Sequence, residues 1–379
     1  MSIYVDYAAT TPLDKQVIDV MTTTMEEDYG NPSSLHDEGM RIRKKINDVR
    51  MQIATYFNVM PSGVVFTSGG TEAINLAILG CAKKYPDKKE IVTSTIEHHA
   101  TLHALDELRE KGYIIHYLPV NKEGFIDIEI LKQKLNSNTL LVTLIYANNE
   151  IGTIQDVKNI GKLCEEHDVL FHVDAVQMIG YHRMNMVDMH TDMLSLSAHK
   201  FYGPKGCGAL IVKRDTILPI IYGGQQEKGK RAGTENVYGI MGLGKALSVV
   251  NGLMENDYKH AIKLRDTLCE HIISYMPQAS FLGPKDRSRR LPNIISLHIP
   301  KVDAQRFLFV LNQHGVYAST GSACQSNVMK QSHVLKAIGI SEDDTVIRLS
   351  IGRFNTIEEM SHLALELYKT FQEVTSSNE

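Results

Sequence analysis

Cysteine is scarce in this sequence: five residues in 379, with no CxxC pair among them. Cys81, Cys164, Cys207, Cys269 and Cys324 are odd in number and widely spaced. That excludes a disulfide framework and a zinc site as first readings and suits thiols kept reduced, as in the cytoplasm. Four of the five lie in segments of apolar periodicity and read as small core residues. An excess of basic charge is also missing. The formal net charge is −4 at pH 7 and the basic residues are scattered, so neither direct nucleic-acid binding nor attachment to a membrane surface is expected. No uninterrupted apolar run reaches membrane-spanning length. The opening residues, MSIYVDYAATTPLD, have no basic head and no long apolar run, so a secretory signal is not expected. Walker loop, GxGxxG and HExxH are all absent, as are internal repeats and low-complexity stretches.

What is present is an ordinary globular composition, 43% hydrophobic and 22% charged, long enough for one large domain or two unequal ones. The most basic run, RIRKK at 41–45, is threaded with Ile42, Ile46, Val49 and Ile53 and reads as the solvated face of a helix. From about residue 60 to 215, short β-branched runs alternate with helical patterns. GVVFTS, EIVTST, YIIHYLPV, TLLVTLIYA, VLFHVDA, DMLSLSA and CGALIVKR read as strands, and several are apolar throughout, as in parallel strands covered on both faces. TEAINLAILGCAKKY and VKNIGKLCEEHD read as helices between them. This alternation predicts a doubly wound α/β sheet. After a Gly- and charge-rich break at 222–235, helical patterns run to about 276. A loop at 283–293 then leads into a smaller α/β unit built from IISLHI, VYAS, TVIRLSI and two helices. The expected division is 15–255 for the large domain, with 1–14 and 256–379 for the small one.

Three stretches carry chemistry. In SLSAHKFYGPKG, Lys200 follows a buried strand and precedes a Gly-Pro turn. It is either a surface lysine or an amine at the sheet edge where α/β proteins place ligands, able to form a Schiff base once it loses its proton. In LFHVDAVQ, Asp174 ends an apolar strand and either caps the next helix or serves a cofactor. A lysine and a carboxylate from successive strand ends meet the two demands of pyridoxal phosphate: a covalent anchor, and a counter-charge that keeps its pyridine nitrogen protonated. FTSGGTEAINLAI places glycines between a strand and a helix, which is an anion-binding arrangement as well as a common turn. In TIEHHATLHAL, His99 and His103 are four apart but lack further ligand partners, so no metal is expected. An imidazole stacked on a ring or moving a proton is the better use of one histidine there.

Taken in order, DYAATTP, GNPSSLH, FTSGGTEA, EHHA, ANNEIGTIQ, DAVQ, SAHKFYGPKG, RAGTENV, TGSAC and RLSIGRFN resemble the NifS/IscS-type cysteine desulfurases, from residue 6 to about 355. The resemblance implies a fold-type I, class V enzyme dependent on pyridoxal 5'-phosphate, with a mostly parallel seven-stranded sheet in the large domain and a smaller α/β C-terminal domain. It implies that Lys200 bonds the cofactor, that His98, directly after Glu97, stacks on its ring, and that Asp174 pairs with its nitrogen. Asn149 and Gln177 should lie near the ring hydroxyl, and Gly70, Thr71, Ser197 and His199 around the phosphate. Thr234 matches a phosphate contact that the family takes from a neighbouring subunit, which implies a homodimer. Arg348 matches the clamp on the substrate carboxylate, and Cys324 the thiol that takes sulfur from L-cysteine as a persulfide and releases L-alanine.

The small residues around Cys324, ASTGSACQSNV, suit a loop that travels between the cofactor and a sulfur acceptor, such as an iron–sulfur scaffold or a tRNA-thiolating enzyme. The loop's length favours the IscS-like group over the SufS-like one. Departures are small: Tyr7 where Asn is commoner, GGQQEKG in place of a more Gly-rich stretch, and Gln325 after the cysteine. Two alternatives remain at this point. One is a class V aminotransferase or selenocysteine lyase in which Cys324 is incidental. The other is a catalytically silent scaffold for sulfur transfer.

Overall fold

The computed structural model describes residues 2–320 and 331–376. The fold opens with a short strand, β1 (Ile3–Tyr4), and two helices, α1 (Lys15–Glu27) and α2 (Asp37–Phe57). On α2 the isoleucines at 42, 46 and 53 share one buried face. Arg41 and Lys45 of the basic run lie on the other face and close onto Asp28 at 2.6 and 2.7 Å. The run is the helix face that the sequence suggested.

The body of the fold is a seven-stranded sheet. Its strands are β2 (Val64–Thr67), β3 (Glu90–Ser94), β4 (Ile114–Leu118), β5 (Thr139–Ile145), β6 (Leu170–Asp174), β7 (Met193–Ser197) and β8 (Gly208–Val212). Helices α3 (Gly70–Lys84), α4 (His99–Glu110), α5 (Ile128–Lys134) and α6 (Val157–Glu166) connect the first five. The spatial order is β2-β8-β7-β6-β5-β3-β4. Every pairing is parallel except the two made by β8, which is antiparallel to β2 and β7. Strands β5, β7 and β8 are buried along their whole length, the pattern of a sheet covered on both faces. The sheet is the mostly parallel, seven-stranded one expected.

A 39-residue helix, α7 (Val237–Tyr275), follows. The rest comprises β9 (Ser280–Leu282), β10 (Ile294–Ile299), α8 (Ala304–Gln313), β11 (Val316–Tyr317), α9 (His333–Ala337), β12 (Thr345–Ser350) and α10 (Ile357–Ser376). Strand β10 is antiparallel to both β9 and β12, while β1 returns to pair parallel with β11. Two apolar cores divide along these lines. One gathers Phe57, Phe171, Leu194 and Leu247 around the large sheet, and the other gathers Ile3, Val5, Leu268, Leu297, Phe307 and Leu363. Residues 255 and 256, where the sequence suggested a boundary, lie inside α7, which gives Ile240 to Val250 to the first core and Leu264 to Ile272 to the second. By length and composition α7 could cross a membrane, but its apolar residues pack into these two cores. Cys81, Cys164 and Cys207 are buried free thiols and Cys269 is half-buried.

Candidate active site

The carboxyl ends of β2, β3, β5, β6 and β7 open onto one cleft, the place where a doubly wound sheet holds ligands. A cavity of about 270 Å³ there is lined by Gly70, Thr71, His98, Asn149, Asp174, Gln177, Ser197, His199, Lys200 and Arg348, together with Ala8 and Ala9. Ten of the site residues expected from sequence therefore share one wall-to-wall space. Thr234 is not among them. It lies on an exposed stretch of the 231–236 segment. Cys324 lies outside the described residues.

Each side chain is set by the end of an element. Asp174, the last residue of β6, is buried, and its Oδ1 accepts the Val176 amide at 3.0 Å. Burial raises its pKa to about 6, against the pull of that amide and of Lys200. A carboxylate in such a place calls for a cation. Lys200 stands at the end of a short turn after β7, with Nζ donating to the carbonyls of Ala8 at 2.5 Å and Ala9 at 2.8 Å. Gln177 donates from Nε2 to the same Ala8 carbonyl at 2.9 Å. His199 Nδ1 meets Thr10 Oγ1 at 3.1 Å.

His98 caps α4, its Nδ1 accepting the Ala100 amide at 3.1 Å. Burial, then the charge of Lys200, lower its pKa to about 4, so the ring is neutral near pH 7. Beside it, Glu97 is buried, with Oε1 on Ser94 Oγ at 2.5 Å and Oε2 without a partner among the described residues. Burial raises this acid to about 8, and the nearby charge of Asp174 adds to the rise. Glu97 is thus neutral at pH 7 while Asp174 ionises.

At the other end of the cleft, the first turn of α3 has no side chain to cap it. Its Ncap, Gly69, sits at φ +157°, ψ −173°, a conformation reserved for glycine. The first turn of α3, Ser197, His199 and Lys205 border a shallow cup there. Backbone amides and a helix N-terminus suit an anion. Buried carboxyl, amine and anion cup thus fit the three polar ends of pyridoxal phosphate: ring nitrogen, aldehyde and phosphate.

Sequence reasoning missed the carbonyls of Ala8 and Ala9, which a side-chain motif cannot reveal, although DYAATTP contains them. It also passed over Glu97, whose neighbour His98 drew the attention, and Asp6, which pairs with Arg348 at 2.7 Å.

The aminotransferase class-V family matches residues 3–363. A cysteine desulfurase IscS of Clostridium botulinum is 42% identical over 377 residues, 98% of this chain and 94% of its own. One from Dictyoglomus turgidum is 43% identical, over 95% of this chain and 92% of its own. Among solved structures, a NifS-like protein with 34% identity superposes with a TM-score of 0.92, covering 98% of this chain and 100% of that one. SspA in complex with cysteine, also 34% identical, has a TM-score of 0.82, covering 94% and 100%.

Proposed function

Given that the chain belongs to the class-V aminotransferase family, and within it to the pyridoxal-phosphate-dependent cysteine desulfurases, we propose a division of labour among its own residues. Lys200, Asp174 and His98 would hold the cofactor at its aldehyde carbon, nitrogen and ring. Gln177 and Asn149 would serve the ring hydroxyl, and Gly70, Thr71, Ser197 and His199 the phosphate. The bound cofactor supplies an electron sink for a carbanion at the substrate's Cα. Arg348 fixes the α-carboxylate of L-cysteine. Lys200, displaced from its anchoring role, takes the Cα proton. Cys324 Sγ, as thiolate, attacks the substrate sulfur. An S–S bond forms on Cys324 as the bond between the substrate's Cβ and its sulfur breaks, and the electrons of that bond leave with the carbon that becomes alanine's methyl group. His98, neutral and with its proton on Nε2, is a donor in the cleft, able to accept a proton only after giving one.

The observation that carries this reading is the convergence of Lys200, Asp174, His98 and Arg348 on one cleft. The test compares alanine and sulfide release from L-cysteine, with reductant present, by the wild type and by Cys324→Ala. Loss of both products in the variant supports the persulfide route, whereas equal activity would remove Cys324 from the mechanism.

Thr234 of a partner subunit completes the phosphate site in this proposal, which makes the enzyme a homodimer. Its exposed position, and the exposure of Tyr29 at 85%, Leu35 at 84% and Tyr222 at 69%, support that reading. Sedimentation of the protein, and phosphate-end affinity in Thr234→Ala, test it. The persulfide passes to a sulfur-acceptor protein, an iron–sulfur scaffold or a tRNA-thiolating enzyme, identified by transfer of labelled sulfur to each. The four free thiols support a reducing compartment, the cytoplasm, which fractionation checks.

A further inference from the structure

Arg348 is 3% exposed, yet lines the cleft. Its backbone is held on both sides, opposite Ser296 of β10 and by a bridge to Ser319, whose carbonyl accepts the Arg348 amide at 2.6 Å. The guanidinium is less fully engaged. Nη2 donates to Asp6 Oδ1 at 2.7 Å and Nη1 to the Asn149 carbonyl at 3.2 Å, while Nε is buried with no partner among the described residues.

A guanidinium grips a carboxylate with two parallel N–H groups, either at its end through both Nη atoms or at its side through Nε and Nη2. Asn149 takes Nη1 and Asp6 one hydrogen of Nη2, and the unspent Nε marks the side. We propose that Asp6 is a positioning residue that turns Arg348 so that its Nε–Nη2 edge receives the α-carboxylate of the substrate. This rests on the reading of Arg348 as the carboxylate clamp and adds what orients it.

Asp6 is well placed to orient another group because its own backbone is fixed. Its carbonyl accepts the amides of Ala9 at 3.0 Å and Thr10 at 3.3 Å and the Tyr4 hydroxyl at 3.0 Å, and the residue bridges to Ser350. Two residues on, Ala8 and Ala9 present the carbonyls that hold Lys200 Nζ. One short segment therefore sets both the group that acts at Cα and the group that grips the neighbouring carboxylate. Asp6 also supplies the anion without which a buried guanidinium is costly before substrate arrives.

The test uses the cofactor-loaded enzyme and the variants Asp6→Ala, Asp6→Asn, Asp6→Glu and Arg348→Ala. Readouts are kcat and KM for L-cysteine, the calorimetric Kd of L-alanine, which carries the same carboxylate, and the urea midpoint. Asp6→Ala and Asp6→Glu, which remove or displace the Nη2 acceptor, raise KM and the alanine Kd about tenfold or more, with kcat within about threefold. Asp6→Asn, which keeps an oxygen at that place, stays within about threefold of wild type on all three. If Asp6→Ala does not fold, Asp6→Glu against Asp6→Asn carries the comparison. Wild-type KM and Kd in Asp6→Glu, or an equal rise in Asp6→Asn, overturns the positioning role. Unchanged KM and Kd in Arg348→Ala would instead overturn the clamp itself, a result distinct from failure of Asp6 alone.

Discussion

The Nδ1 of His98 accepts a hydrogen bond from the Ala100 amide at 3.1 Å. That bond assigns the ring's lone pair to Nδ1 and its proton to Nε2, and burial keeps the imidazole neutral. The residue is at once a helix cap and a site group, and substitution separates the two. His98→Ala loses the cap, about 1 kcal/mol, and the imidazole, about 10²–10⁴ in kcat. His98→Asn keeps a capping oxygen, so it retains wild-type urea stability while showing the same fall in alanine release. Equal destabilisation of both variants would show that the cap does not matter.

Lys200 Nζ donates to two backbone carbonyls, those of Ala8 and Ala9. Lys200→Ala is expected to fold, because it removes no apolar core group, and to release alanine at below about one-thousandth of the wild-type rate. Borohydride treatment should fix cofactor to the wild type and not to the variant. A variant that is still labelled at the same site by borohydride would place the covalent anchor elsewhere.

Glu97 links stability to pH with a sign opposite to that of an ion-paired acid. Its folded pKa, about 8, stands above the ordinary 4.5, so the folded state keeps a proton that the unfolded state gives up. That favourable difference is fully present below about pH 4.5 and is lost as pH rises toward 8. Glu97→Gln does not titrate. The variant should therefore gain on wild type by about 1.4 kcal/mol per pH unit between pH 5 and 7.5. Urea unfolding at pH 5, 6.5 and 8 measures it, and a constant gap would mean that the acid is ionised throughout.

Arg50 and Glu227 form a two-pronged ion pair at 2.6 and 2.7 Å, with the Glu227 side chain only 3% exposed and also accepting the Phe66 amide. Glu227 holds φ at +48°, in the left-handed region, so tertiary contacts fix this turn against local preference. Glu227→Ala leaves a guanidinium and an amide without their partner and should cost about 3–5 kcal/mol. A loss under about 1 kcal/mol in urea unfolding would show that water replaces the carboxylate.

The sheet was legible because several of its strands are apolar throughout and alternate with helical patterns of period 3.6. The site was legible where side chains end strands: Asp174 after LFHV, Lys200 after LSLSAH. The reversed direction of β8 was not, since an apolar run such as GALIV reads the same either way. The helical stretch to about 276 was legible, but the expected division at 255/256 falls inside it, because α7 serves both cores. The pairing of β1 with β11 joins residues more than three hundred apart in sequence, beyond any local pattern. Asp6 was hidden for a different reason. Its role depends on Arg348, brought to it only by folding.

The long helix α7 fastens the two cores together, and this has a geometric consequence for catalysis. Its 39 residues form a strut of about 58 Å. Lys200 belongs to the body at one end of it and Arg348, on β12, to the body at the other. The two ends of one small amino acid are thus handled by structures whose angular phase is metered by helix turns. A single residue inserted between Val250 and Leu264 would add about 100° of turn to the strut, a twist that the ties across the two bodies, Asp6 and Asn149 to Arg348 among them, would have to absorb.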